Sequence, residues 1–195
     1  LPVAQQIDHV DRQHFKVFRR VYKAGKHRLH PRDITVLVCC PDIDHPIDLV
    51  VIAIPAPAIP AVLRQCGDHE VGAAIVLSAG FAEIGKRGKA LQHEIVDIAR
   101  TYDIPLVGPN CLGIIRPRVG LNATFAKSGI ETGQVALVAQ SGAFCTALLD
   151  WADSNGFGFS AVASLGATAD IGFGDVLDYL AVDPETKSIL LYVEG

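Results

Sequence analysis

"VALVAQSGAFCTALLDWADSNGFGFSAVAS", residues 135–164, decides the fold. The apolar run Val135 to Ala139 reads as a buried strand that stops abruptly at Gln140-Ser141-Gly142-Ala143. A helical pattern starts at once, with Phe144, Ala147, Leu148 and Trp151 spaced to share one face. "FGFSAVAS" (157–164) then reads as a second apolar strand. A strand, a helix and a strand in such close succession make a βαβ unit, which sets the strands parallel with the helix across them.

The same rhythm extends in both directions. Downstream, Phe173, Val176, Leu177, Leu180 and Ala181 recur at helical spacing. "DPET" (183–186) suits a type I turn with Asp first and Pro second, and "SILLYVEG" (188–195) is a third strand. Upstream, "ITVLVCC", "DLVVIAIPA" and "AAIVLSAGFAE" are continuous Val/Ile-rich runs, as expected of strands buried on both faces. "IPLVGPNCLGI" is a strand running into a Gly-Pro turn. Between these strands, residues 57–66 and 89–102 are helical, the latter with Leu91, Ile95 and Ile98 on one face. Residues 116–133 lose the pattern and are expected to form a connection between domains. Residues 1–33 are polar, basic and His-rich, with Val10, Phe15, Phe18 and Val21 allowing a ragged amphipathic helix.

The expected fold class is α/β, in two lobes: residues 1–125 and residues 126–195. The second lobe is expected to be cut short, because a three-stranded sheet leaves a long edge uncovered, and that edge suggests association with further protein. The absence of methionine fits a trimmed chain. With 195 residues, half of them hydrophobic, there is ample material for such a core. The formal charge of −4 with only one short basic run argues against nucleic-acid binding. No run of eighteen or more apolar residues exists, so no membrane-spanning helix is expected. The five cysteines lack CxxC spacing and sit in apolar segments, which suits a reducing cytoplasm. The seven histidines all precede residue 94 and lack neighbouring ligand clusters, so no metal site is expected.

In open parallel sheets, ligands collect at the carboxyl ends of the strands. Here those tips carry Ile54 to Pro57, Ser78 to Glu83, Gly108 to Cys111, Ala139 to Ala143, Ser164 to Asp170 and Val193 to Gly195. The helix after Gln140 starts with amides that have no intrahelical partner and with the positive end of its dipole, an anion seat in principle. Ser141 and Gly142 serve equally well as an N-cap and a tight turn. Asn110 and Cys111 either face a ligand or finish a turn. Neither a GxGxxG nor a Walker motif is present, which weakens the case for NAD and P-loop chemistry.

Taken together, "DLVVIAIPAPAIP", "VLSAGFAE", "GPNCLGI", "GLNATF", "VALVAQSGA", "LLDWA", "LDYLAVDPET" and "ILLYVEG" follow in an order and spacing that resembles the ADP-forming acyl-CoA synthetases (acetate–CoA ligase, ADP-forming). These are relatives of the succinyl-CoA synthetase α subunit. The resemblance covers residues 47–195. It implies a Rossmann-like CoA-binding lobe followed by a flavodoxin-like ligase lobe, both partial, in a cytoplasmic enzyme. Pro55, Ala56, Pro57, Ser78, Ala79 and Gly80 would line the coenzyme A groove. Asn110 and Cys111 would stand near the thiol end. Gln140, Ser141, Gly142 and Ala143 would hold phosphate or a phosphohistidine, and Glu194 would be the carboxylate that steadies that histidine.

The implied reaction converts acyl-CoA, ADP and phosphate into a small carboxylic acid, CoA and ATP. ATP or ADP with Mg is expected only at an ATP-grasp domain or subunit, a partner that this sequence does not contain. The transferable histidine is likewise expected elsewhere, so this stretch alone is not expected to catalyse ligation. The family's glycine-rich first loop has no counterpart in residues 1–25, where Gly25 stands alone. "GLNATF" and "LLDWA" also resemble fused proteins in which this region precedes a lysine acetyltransferase, which makes an acyl-CoA-sensing regulatory region the alternative. An unrelated α/β nucleotide-binding module is a third possibility.

Overall fold

The computed structural model describes residues 34–36, 46–126 and 129–194. The amphipathic helix expected before residue 34 lies outside them. The first sheet is all parallel, in the order β1 (Ile34–Val36), β2 (Leu49–Ile52), β3 (Ala74–Val76) and β4 (Leu106–Val107). Every residue of β2, β3 and β4 is buried, as their unbroken apolar runs require. Two helices connect these strands. Helix α1 (Ile59–Asp68) buries Ile59, Pro60, Leu63 and Cys66, with Pro60 in the first turn where its missing N–H costs nothing. Helix α2 (Lys86–Thr101) buries Gly88, Ile95, Val96, Ile98 and Ala99. Gly88 has no substitute, because a Cβ there would strike the Phe81 carbonyl.

The second sheet has five strands, not three, and is mixed rather than wholly parallel. Its order is β6 (Leu121–Thr124), β5 (Gly113–Arg116), β8 (Phe159–Ser164), β7 (Thr132–Ala139) and β9 (Ser188–Tyr192). Strands β7, β8 and β9 are parallel, while β5 runs antiparallel to both β6 and β8. Residues 116–124, the first half of the connection expected at 116–133, therefore belong to the β5–β6 hairpin of the second sheet. A short 3-10 turn ending at Gly120, whose φ of +71° suits glycine, closes the hairpin. "IPLVGPNCLGI" accordingly splits into β4 and β5, which belong to different sheets.

Helix α3 (Gly142–Ser154) turns a different face inward from the one its spacing suggests. Cys145, Leu149 and Ala152 are buried, whereas Trp151 is 53% exposed. Apolar residues surround most of this helix, so periodicity alone cannot choose the stripe. Phe144 is drawn aside to stack on Tyr192, ring centroids 4.1 Å apart. Helix α4 (Phe173–Ala181) buries Val176, Tyr179 and Leu180. The turn at Asp183 closes as expected, with the Thr186 N–H donating to the Asp183 carbonyl at 3.2 Å.

The two sheets share one core. A single apolar cluster joins Leu49, Val51, Ile75 and Val107 of the first sheet to Ile114, Ala136, Val138 and Ala163 of the second. The segment after β8 seals the junction along β4: Ala167, Ala169 and Ile171 donate backbone bonds to Pro109, Gly108 and Leu106 at 2.9, 3.0 and 3.1 Å. The Asp170 carboxylate accepts from the Leu106 N–H at 3.0 Å. Among the described residues, no helix is long and apolar enough to cross a membrane.

Candidate functional site

Three strand tips of the second sheet and the loop leaving β4 meet around a cleft of about 580 Å³. Strand β7 delivers Gln140 to Ala143, β8 delivers Gly166 and Ala167, β9 delivers Glu194, and the loop delivers Asn110, Cys111 and Leu112. Backbone bonds hold the tips in register. The Gln140 N–H donates to the Tyr192 carbonyl at 3.0 Å, and the Gly166 N–H to the Gln140 carbonyl at 3.2 Å. Gly166, at φ +56°, passes so close to the Pro109 and Asn110 carbonyls that a Cβ would collide with both.

Helix α3 starts in this cleft. Ser141 is its N-cap, extended in backbone, with Oγ accepting from the Phe144 N–H at 3.3 Å. Its carbonyl takes the Cys145 N–H at 3.2 Å. The N–H groups of Gly142 and Ala143 have no intrahelical partner by position, and both residues line the cleft. Ser141 thus caps the helix and leaves two amides for a ligand, so the two uses are not exclusive. Glu194 is bound to the same spot: its N–H donates to Gln140 Oε1 at 3.1 Å. The stack of Phe144 on Tyr192 is a further tie between α3's first turn and the end of β9.

The structure thereby brings together Asn110, Cys111, Gln140, Ser141, Gly142, Ala143 and Glu194. The first sheet's tips form a separate lip. Ser78 Oγ donates to the Ile54 carbonyl at 2.6 Å, and a Cβ on Gly80 (φ +108°) would come within 3.0 Å of the Ala56 Cβ. Pro55, Ala56, Pro57, Ser78, Ala79 and Gly80 lie beside one another there, outside the cleft lining. Ser78 ties the lip to the cleft by accepting the Asn110 N–H at 2.9 Å.

Leu77, Glu83, Leu112, Phe125, Thr146, Gly166 and Ala167 also line the cleft and were assigned no role from the sequence. For Gly166 and Ala167 the signal was present, since "SLGATAD" is itself a strand tip. Glu83 accepts the Gly80 N–H at 2.5 Å. Burial pushes its carboxyl up, and hydrogen bonds from the Gly80, Glu83 and Phe81 amides outweigh that, so it titrates below the usual glutamate value. Two acidic side chains, Glu83 and Glu194, therefore face the cleft, and no lysine, arginine or histidine lines it among the described residues. The first amides of α3 supply partial positive charge there.

Cys111 reaches the cleft, but its thiol does not serve it. Sγ donates to the Val76 carbonyl at 3.3 Å, and burial pushes the thiol up to about 12. Burial likewise raises Cys145 to about 11, against a hydrogen bond with Ser164. Neither is a thiolate at neutral pH, so neither is a nucleophile. Iodoacetamide at pH 7.5 is expected to leave the Cys111 and Cys145 peptides unlabelled until denaturant is added; mass spectrometry reads this directly.

Two family models match the chain. The CoA binding domain covers residues 9–117, and the succinyl-CoA ligase like flavodoxin domain covers residues 132–195. The acetate–CoA ligase (ADP-forming) I of Archaeoglobus fulgidus is 44% identical over 167 residues, covering 84% of this chain and 24% of the relative. The α subunit of acetate–CoA ligase (ADP-forming) I of Pyrococcus furiosus is 36% identical over 180 residues, 92% of this chain and 39% of that subunit. Among solved structures, a Pyrococcus horikoshii protein superposes with a TM-score of 0.80 at 34% identity, over 92% of this chain and 43% of its own. An acetyl-coenzyme A synthetase 1 of Candidatus Korarchaeum cryptofilum, solved with phosphate and ADP, gives 0.77 at 31% identity, over 92% and 40%. The chain spans about a quarter to two fifths of these proteins.

Proposed function

The chain belongs to the CoA binding domain family, joined to a succinyl-CoA ligase-like flavodoxin domain as in the ADP-forming acetate–CoA ligases, and on that premise we propose that its cleft is where acyl phosphate and coenzyme A exchange the acyl group. The whole reaction converts acyl-CoA, ADP and phosphate into carboxylic acid, CoA and ATP by way of an acyl phosphate and a phosphohistidine. Phosphoryl transfer depends mainly on positioning and on stabilising charge, and pre-aimed amides do both without reorganising.

The observation that supports this reading best is a single juxtaposition. Gly142 and Ala143, whose amides are free of intrahelical partners, and Glu194 line one cleft, and the bond from the Glu194 N–H to Gln140 ties their strand tips together. The amides take the phosphoryl oxygens. Glu194 steadies the imidazole that carries the phosphate away. No histidine lines the cleft among the described residues, so that imidazole is presented by another segment or subunit. Asn110 stands at the thiol end. The lip of Pro55 to Pro57 and Ser78 to Gly80 cradles coenzyme A, since Gly80 leaves bare backbone where a Cβ would crowd Ala56. When bound, coenzyme A supplies the acyl-accepting thiol. ATP or ADP with Mg belongs to an ATP-grasp partner. A cytoplasmic setting is part of the same reading and suits Cys111 and Cys145, buried thiols that form no disulfide.

Calorimetry tests this reading. Titration with coenzyme A is expected to give one saturable site, and inorganic phosphate a second that binds independently. Absence of heat from coenzyme A up to millimolar concentration would overturn the assignment.

A further inference from the structure

The ladder between β7 and β9 departs from its own pattern at one residue. In a parallel pair, a bonded residue donates its N–H to one carbonyl of the facing strand, and its own carbonyl accepts from the N–H two residues further along that strand. Ala139 pairs with Tyr192, so Gln140 faces Val193. The Gln140 N–H makes the expected bond, to the Tyr192 carbonyl at 3.0 Å. The next rung would run from the Glu194 N–H to the Gln140 carbonyl. That carbonyl has turned away as β7 gives way to the Ser141 cap, and it takes the Gly166 N–H at 3.2 Å. The side chain supplies the missing acceptor: Gln140 Oε1 takes the Glu194 N–H at 3.1 Å. This bond settles which way the amide points, because only its oxygen accepts.

We propose that Gln140 is a positioning residue: its side chain carries the β7–β9 ladder one rung further and so fixes the Glu194 carboxylate beside the first amides of α3. The inference rests on the reading of Glu194 as the group that steadies the imidazole. β9 ends at Tyr192, and among the described residues the Gln140 side chain is the one hydrogen-bond partner of Glu194. Length and neutrality both select glutamine. Asparagine is one methylene too short for the rung. Glutamate reaches, but it adds a third carboxylate to a cleft that already holds Glu83 and Glu194. Holding one residue's backbone in a single well in advance is equivalent to about five- to thirtyfold in affinity for whatever that residue must meet.

Nuclear magnetic resonance of the ¹³C,¹⁵N-labelled chain tests the assignment. Imidazole at pH 7.5, largely neutral with one N–H to donate, is the probe. In the wild type the Glu194 side-chain carboxyl signal is expected to shift with imidazole and to saturate. Gln140→Asn and Gln140→Met should move the Glu194 amide proton upfield, lower its heteronuclear NOE and weaken imidazole binding about fivefold or more. Gln140→Glu keeps the acceptor and should return the amide signal and its NOE to near wild-type values. The main-chain bonds of Gln140 are available to all three variants, and the signals of the other residues report that the fold is kept. An unmoved Glu194 amide in both the Asn and Met variants overturns the rung. A lost rung with unchanged imidazole affinity overturns the positioning role. A wild type whose Glu194 amide is ordered but whose carboxyl ignores imidazole removes the reading of Glu194, and this inference with it.

Discussion

Gly142→Pro is expected to weaken phosphate binding about a hundredfold while leaving the fold intact. Position 142 is the first residue of α3, where proline is preferred and its missing N–H costs no helical bond. The residue before a proline must be extended, and Ser141 already is, at φ −79° and ψ 119°. A Cβ at 142 finds ordinary contact distances, 3.4 Å to the Leu112 nitrogen and 3.5 Å to the Leu112 Cβ. The substitution therefore deletes one donor from the anion seat and puts ring carbon in its place. Removing a single pre-aimed donor from an oxyanion site costs about 10²–10³ in rate. Gly142→Ala, which keeps the amide, is the control and is expected to retain most of the binding. Calorimetry with phosphate, alongside thermal melts of both variants, reads the outcome.

Asp183→Ala is expected to be the most destabilising exchange of a polar residue in the second lobe. Arg116 and Asp183 are 2% and 7% exposed and meet in a fork, Nη1 to Oδ2 at 2.9 Å and Nη2 to Oδ1 at 3.3 Å. Thr186 Oγ1 donates to Oδ2 at 2.7 Å, and the Arg116 guanidinium lies 5.5 Å from the Tyr179 ring centroid. The pair fastens β5 to the turn before β9, the strand that leads to Glu194. Removing the carboxylate leaves a guanidinium buried without its partner, a loss of about 3–5 kcal/mol. For a domain of this size that lowers Tm on the order of 10 °C. The double variant Arg116→Met with Asp183→Leu should recover most of it, because no charge is then left buried.

The pH dependence has a definite sign. Burial pushes the Asp183 carboxyl up, but the hydrogen bonds from Arg116 and Thr186, together with the Arg116 charge, hold it below its usual value. A carboxyl depressed in the folded state stabilises fully above the unfolded value, about 3.9, and loses that contribution as pH falls through the folded one. Wild-type stability should therefore decline on acidification below about pH 4 more steeply than that of the double variant.

Buried parallel strands announce themselves, because both faces must be apolar. β2, β3, β7 and β8 were legible for that reason, and so were the tips that follow them. β6, by contrast, is "LNAT", with alternating exposure and polar neighbours, and nothing local shows that it pairs with β5. The face of α3 was ambiguous because Phe144, Cys145, Leu148 and Leu149 spread apolar area around the helix, and only packing against the sheet turns Cys145, Leu149 and Ala152 inward. Arg116 reads as a surface residue at a strand end. Its partner is 67 positions away, in a turn that the sequence explains by turn chemistry alone. The cleft shows the same division. Gln140 to Ala143 and Glu194 follow neighbouring parallel strands and could be placed there in advance. Leu77 enters only because the segment 165–171 closes on β4 and brings the two sheets together, while Phe125 follows the edge strand β6 and Thr146 stands in the second turn of α3.

A titration of the ¹⁵N-labelled protein with inorganic phosphate, followed in ¹H–¹⁵N correlation spectra, tests the central claim most directly. The account predicts that the Gly142 and Ala143 amide signals shift downfield together and saturate with one affinity, with Glu194 following on the same curve. Shifts confined to other amides, with 142, 143 and 194 unmoved at saturating phosphate, would contradict it.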